Sequence, residues 1–443
     1  MATFAARIGD RLPSRKTRTS LAYWALLLFT FLYYARPEDF IPGIAFIPVG
    51  KISGGIALVA LLLTWGKLRV KLPLEMKVLL LLFVDLCLTI PFAYWRGGAF
   101  DIVINTFSKA VIVGLLIAMI VSTMTELKRL LFVQAASMAG MTLFSLITHP
   151  GDSVRLMGAL GGVFSNPNDL AINISITFPV GLAFLLAAKG GLKKLIWFGA
   201  ILIMLYGVIA TYSRSGFLAM VVSLIVCIWE FGIKGKRAPI LVASFLLFMV
   251  SAGVALATPN YMNRLKSIFS DDVEGAGDHG SAEARRELLR RSIDLAIHNP
   301  IVGVGPGNFP AVTQTWKVAH NTYTELAAEA GLPALLLFLA FLALAFRNLR
   351  RLRKTPGYKA NLQIQLFTSA LWASLAAYLV GAAFADTEYA LFPYFMVAYT
   401  SALYRIGNSY ESNDEQPAKP LKTLGKGERD YGKTDRRDLA WSR

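Results

Sequence analysis

Long apolar blocks recur along this chain with only brief polar breaks between them, and no other feature restricts the fold as sharply. A helix needs roughly 20 mostly apolar residues to cross the ~30 Å hydrocarbon core of a bilayer. Blocks of about that size fall at 20–35, 44–65, 74–94, 99–121, 128–147, 168–187, 193–211, 215–231, 238–257, 322–346, 363–384 and 388–405. They predict an all-α integral membrane protein of about 12 transmembrane helices. With 55% hydrophobic and 16% charged residues, the chain has too little polar sequence to cover so many helices in water. Cys87 and Cys227 lie in separate blocks and read as small core residues, neither a disulfide nor a metal site.

The net charge of +17 is placed in a way that excludes nucleic acid as its purpose. Of the 45 Lys and Arg, 32 fall in the N-terminal segment, in alternate breaks and in the tail after Tyr404. The positive-inside rule puts those segments in the cytoplasm, with both termini there. Arg7, Arg11, Arg15, Lys16 and Arg18 precede the first block as in a signal peptide. Tyr33-Tyr34-Ala35-Arg36-Pro37 is no small-residue cleavage site, so an uncleaved anchor is expected. The expected organisation is a basic cytoplasmic N-terminus at 1–19, nine spans within 20–257, a long periplasmic loop at 258–321, three spans within 322–405 and a disordered cytoplasmic tail at 406–443.

Chemistry is expected on the outer face. The long loop carries an amphipathic helix from Ser281 to His298, in which Ala284, Leu288, Leu289, Ile293, Leu295 and Ala296 form an apolar side beside Arg285, Arg286, Arg290 and Arg291. Such a helix lies in the interface, its apolar side in lipid or against the bundle. Ser213-Arg214-Ser215-Gly216 joins two blocks almost without a loop. An arginine there can snorkel to headgroups, yet it sits on the face the positive-inside rule depletes, and guanidinium presents fixed donors suited to phosphate oxygens. Arg155 and the run Phe164-Ser165-Asn166-Pro167-Asn168-Asp169 open the sixth span. Asn166 or Asn168 serves as helix cap there, and the same N-terminus offers N–H groups to an anion.

Gly303, Gly305 and Gly307 mimic a nucleotide loop, but no βαβ unit surrounds them, and a tight turn is the better reading. His320-Asn321 ends the long loop at the water–membrane boundary, where a histidine can accept a hydroxyl proton near neutral pH. His279 and His298 stand singly, without metal-ligand spacing, so no metal and no cofactor are expected. Asp85 and Lys109 are charges inside blocks; they pair with each other, or Lys109 faces the anionic site.

Four elements in order resemble the O-antigen ligase and polymerase family of bacterial membrane glycosyltransferases. These are Arg155-x-x-Gly158 with Pro167-Asn168-Asp169, then Ser213-Arg214-Ser215-Gly216, then Arg285 fifteen residues before Pro300-x-x-Gly303-x-Gly305, and His320-Asn321 followed by Gly331-Leu332-Pro333. The stretch runs from about residue 150 to 340. Ser215, Leu289 and Ala334 depart from the family's usual residues and leave the subfamily open.

The resemblance implies a GT-C-like membrane fold. It also implies metal-independent transfer of a glycan from undecaprenyl diphosphate to an acceptor hydroxyl, at the periplasmic face of the bacterial inner membrane. His320, Arg214 and Arg285 are the expected catalytic residues. Arg155, Asn168, Asp169, Arg286, Asn321 and Lys109 are expected to bind substrate. The acceptor is a lipid A core in a ligase, a glycan in a polymerase, or a protein in an O-oligosaccharyltransferase. A flippase for lipid-linked glycans is the reading from another class; it predicts polar groups near the midplane and related halves, whereas these motifs gather on one face.

Overall fold

A computed structural model of the full chain describes residues 21–37, 49–64, 71–148, 155–157, 164, 166–234, 245–246, 279–315 and 317–414. Among the described residues it is helical throughout. In chain order the helices are α1 (Leu21–Ala35), α2 (Val49–Thr64), α3 (Leu74–Thr89), α4 (Arg96–Ile120) and α5 (Met124–Thr148). Next come α6 (Pro167–Ala187), α7 (Gly191–Ala210), α8 (Arg214–Ile233), α9 (His279–His298) and α10 (Phe309–Thr313). The last are α11 (Thr322–Leu352), α12 (Pro356–Ala360), α13 (Leu362–Phe384) and α14 (Phe392–Asp414).

Seven of these, α4 to α8 with α11 and α13, are long and apolar enough to cross a bilayer, which makes the chain a multi-pass membrane protein. Helix α1 is equally apolar but 15 residues long. The block at 238–257 lies outside the described residues apart from 245–246.

The last block departs from expectation. Helix α14 starts at Phe392, not at 388, and runs to Asp414. Pro393 suits the first turn of a helix, where its missing N–H costs nothing. The residues before it are held elsewhere: the Thr387 amide donates to Thr322 Oγ1 at 2.9 Å, and the Tyr394 hydroxyl donates to the Glu388 carbonyl at 2.5 Å.

Helix α6 is the most enclosed of the spans and packs between α8 and α13. Small residues let the backbones close in. A Cβ on Gly216 would stand 2.1 Å from the Ala171 Cβ, so only glycine fits, and Ser175 Oγ donates to the Gly216 carbonyl at 3.0 Å. Direction alternates along the bundle. The starts of α6, α8, α11 and α14 therefore gather at one end with the finishes of α7 and α13, tied by Leu156 N–H to Ala210 C=O and Thr322 N–H to Ala385 C=O.

The opposite end is closed by ion pairs and caps. Glu230 accepts from Lys234 and Arg353, both at 2.9 Å, and from Ser369 at 3.2 Å. Glu75 accepts from Asn348 and Ser401. Arg405 donates to the Ala118 and Val121 carbonyls.

Candidate active site

The residue two positions before α11 is held in a strained form. His320 has φ 54°, in the left-handed region that side chains other than Asn, Asp and His rarely enter. Its neighbours force it there. Asn321 caps α11, its Oδ1 accepting the Tyr323 and Thr324 amides at 3.0 and 3.1 Å, while its Nδ2 donates to the Ala383 carbonyl at 3.0 Å. Thr322 ties into the turn after α13, bonding the Ala385 carbonyl at 2.7 Å and Thr387 Oγ1 at 2.9 Å. A backbone so over-determined can store strain at a site. The same stitching delivers Asp386, whose Oδ1 lies 3.6 Å from His320 Nδ1, both side chains about a quarter exposed.

A second knot orders Arg155 and Arg214. Of the two asparagines at the start of α6, Asn166 is the cap, accepting the Asn168 amide at 2.9 Å. Asn168 is thereby released to accept from Arg155 Nη2 at 3.0 Å and from the Ser213 hydroxyl at 2.8 Å. Arg155 Nε donates to the Thr211 carbonyl at 3.0 Å. Ser213 caps α8 through the Gly216 amide. Arg214 is then the first residue of α8, half-buried, two positions after Tyr212 with its left-handed φ of 50°. Arg155, Asn168 and Ser213 are thus occupied in shaping the turn that presents Arg214.

Helix α9 has three faces, not two. Leu288, Ser292 and Ala296 are buried against α11, with Ser292 Oγ donating to Thr324 Oγ1 at 2.8 Å, and Arg285 belongs to this half-buried side. Glu287, Arg291, Asp294 and His298 form a second, ion-paired row. Arg286, Arg290, Ile293 and Ile297 form a third, exposed row. Ile293 therefore leaves the apolar side on which the pattern put it. The two adjacent arginines point different ways, and Arg285 is the one on the packed side.

The glycine turn after α9 is clamped to a break in α11. Gly331 has φ 82° and Pro333 follows, so the helical bonds to the Ala328 and Glu329 carbonyls are lost. The turn takes them over: Val304 N–H donates to Ala328 C=O at 2.9 Å and Gly305 N–H to Glu329 C=O at 2.7 Å. The Glu329 carboxylate accepts the Gly307 and Phe309 amides at 2.7 and 2.9 Å and the Tyr389 hydroxyl at 2.9 Å. One acidic side chain thereby joins the long loop to the α13–α14 turn.

Acidic groups crowd this end. Asp169 lies in electrostatic range of Asp386, and its Oδ1 meets no hydrogen-bond partner among the described residues, as is true of Glu388 Oε2. Burial pushes the Glu388 carboxyl well above the ordinary carboxylate value, and Glu329 and Asp386 add to the shift. Lys109 stands apart from this group. It makes no ion pair with Asp85 and lies instead in electrostatic range of Lys51 and Asp101.

Asp386 and Glu329 are the residues that sequence reasoning passed over. Asp386 was visible only as one polar residue in a short loop, 66 positions from His320. Glu329 lies inside an apolar block, where an acid buried among spans is itself a signal.

Residues 199–339 match the family model described as O-antigen ligase. The matched stretch holds Arg214, the α9 arginines, the glycine turn and His320, and leaves out Arg155. The chain is also similar to the teichuronic acid biosynthesis protein TuaE of Bacillus subtilis (strain 168), at 27% identity over an alignment of 330 residues. That alignment covers 65% of each chain, just under two thirds of the relative's length.

Proposed function

We propose that this chain is a glycosyltransferase of the O-antigen ligase or polymerase kind, moving a glycan from undecaprenyl diphosphate to an acceptor hydroxyl at the His320 end of the bundle. The observation that carries the reading is the convergence there of the His320–Asp386 pair, the Arg214 turn and the arginine-bearing face of α9. The O-antigen ligase match and the polysaccharide role in the relative's name support it.

In this proposal Asp386 orients the imidazole through Nδ1, leaving Nε2 to take the proton of the acceptor hydroxyl. The acceptor oxygen then bonds the anomeric carbon as that carbon's bond to the diphosphate oxygen breaks. Charge grows on the departing diphosphate, and Arg214 and Arg285 offset it without a metal. Arg155, Asn168 and Asn321 act as positioning residues, since their polar atoms are spent on the scaffold. In this proposal Asp169 stays a substrate contact, while Arg286, on the exposed face of α9, and Lys109, beside Lys51 and Asp101, are read as lying away from the substrate.

Twelve spans, cytoplasmic termini and a periplasmic site complete the proposal, on the strength of the basic residues in alternate breaks. Deletion of the gene, followed by analysis of surface glycan, tests it. Loss of lipid-A-linked chains with lipid-linked polymer accumulating marks a ligase, single repeat units in place of long chains mark a polymerase, and an unchanged surface overturns the reading.

A further inference from the structure

The third face of α9 is exposed among the described residues and is sorted along its length. Arg286 and Arg290 occupy its middle turns, Ile293 and Ile297 its last, and Ile301 continues the row beyond the helix end. Ile297 is 69% exposed and Ile301 72%. Large isoleucines held open to water at successive turns would be costly. They also adjoin a surface that is already lipid-facing. Leu332 and Leu336, on the outer half of the membrane-spanning α11, are 45% and 65% exposed.

Between the two helices runs an open cavity of about 450 Å³, lined by Ile293, Ala296, Ile297, Tyr323, Ala327 and Leu335 among others. Its polar atoms are already engaged: the Tyr323 hydroxyl donates to the Leu379 carbonyl at 2.8 Å, and Thr324 Oγ1 accepts from Ser292. What remains is apolar wall, open toward the same side as Leu332.

We propose that α9 is a membrane-interface helix, with Arg286 and Arg290 at the phosphate level of the outer leaflet, Ile293, Ile297 and Ile301 in its acyl region, and a phospholipid acyl chain in the cavity between α9 and α11. Cations ahead of apolar residues along one row match the order met on entering a leaflet from water, so α9 enters at a slant, C-terminal end deepest. The ion-paired row Glu287–Arg291 and Asp294–His298 then faces water. Arg285, on the packed side, is held at a fixed depth by this contact with the bilayer. The inference rests on the membrane bundle and on the periplasmic placement of this end proposed above, and stands or falls apart from glycan transfer.

The test is spin-label accessibility in the full chain, in phospholipid nanodiscs, on a Cys87→Ala, Cys227→Ala background. Labels are placed one at a time at Ile297→Cys, Ile301→Cys, Arg290→Cys and Asp294→Cys, all exposed positions that tolerate a label. The ratio of oxygen to nickel-chelate accessibility is expected to be several-fold higher at 297 and 301 than at 294, with 290 between. Equal ratios at 297 and 294 overturn the proposal, as does protection of 297 from both reagents, which marks a protein cover. A measurement on the unaltered chain guards against misfolded variants. A phospholipid with an acyl-chain diazirine is expected to crosslink within residues 293–301, and absence of label there contradicts the proposal.

Discussion

The two ends of this bundle are built from the same residue types and treat them in opposite ways. At the Glu230 end each acid that is buried has its partners: Glu230 holds Lys234, Arg353 and Ser369, Glu126 accepts the Ser122 and Thr123 amides, and Glu75 accepts from Asn348 and Ser401. At the His320 end Asp169 and Glu388 each keep a buried oxygen that meets no partner among the described residues. Among the described residues, those other than glycine with left-handed backbones, Arg36, Tyr212, Gln314 and His320, all fall at that end too. Paired acids belong to the scaffold; strained backbone and under-partnered acids are kept where chemistry needs them. The difference separates the part that holds the fold from the part proposed to work.

Substitutions can break or sharpen this contrast. The largest effect is expected from His320→Ala, a loss of about 10²–10⁴-fold in turnover, with a modest fall in unfolding temperature because alanine is less at ease than histidine at a φ of 54°. A mutant that retains full turnover in a transfer assay contradicts the assignment. Next come the adjacent arginines. Arg285→Ala is expected to lower turnover about 10²–10³-fold, and Arg286→Ala to stay within a few-fold of the parent. Equal losses would erase the distinction between the faces of α9.

Gly331→Ala places a Cβ 2.3 Å from the Ile301 carbonyl at a φ of 82°. It is expected to cost about 1–3 kcal/mol and to lower activity along with stability, as thermal unfolding and turnover measured together will show. At the other end, Glu230→Gln leaves Lys234 and Arg353 without a counter-charge. A loss of about 1–3 kcal/mol is expected, with turnover per folded molecule unchanged.

The smallest effect concerns pH. Glu388 binds its proton more tightly folded than unfolded, so its contribution to stability is full at low pH and is lost as pH rises through the folded value. Glu388→Gln is expected to flatten that part of the unfolding-temperature profile. An unchanged profile removes Glu388 as its source.

Much of this was legible in the sequence and some could not be. Spans α4 to α8 begin and end within a few residues of their apolar blocks, because a bilayer demands continuous apolar length and the blocks supply it. Arg214 and His320 stood out for the same reason, as polar residues at block edges. The start of α14 was misplaced because Thr387 and Glu388 are drawn into bonds with distant residues that no local pattern announces. The Asp386 partnership with His320 spans 66 positions and exists only once Thr322 and Thr387 have met. Arg285 and Arg286 are indistinguishable by composition. A third face on α9 separates them, and it becomes visible only when α11 is set beside it.

The central claim is that the chemistry belongs to the His320 end. Purified protein in proteoliposomes, supplied with a polyprenyl-diphosphate-linked glycan and an acceptor glycan, tests it most directly through release of free polyprenyl diphosphate. Release is expected from the parent and from Glu230→Gln, unaffected by EDTA, and is expected to be lost in His320→Ala. Release by His320→Ala at the parental rate, or a dependence on added divalent ion, would contradict it.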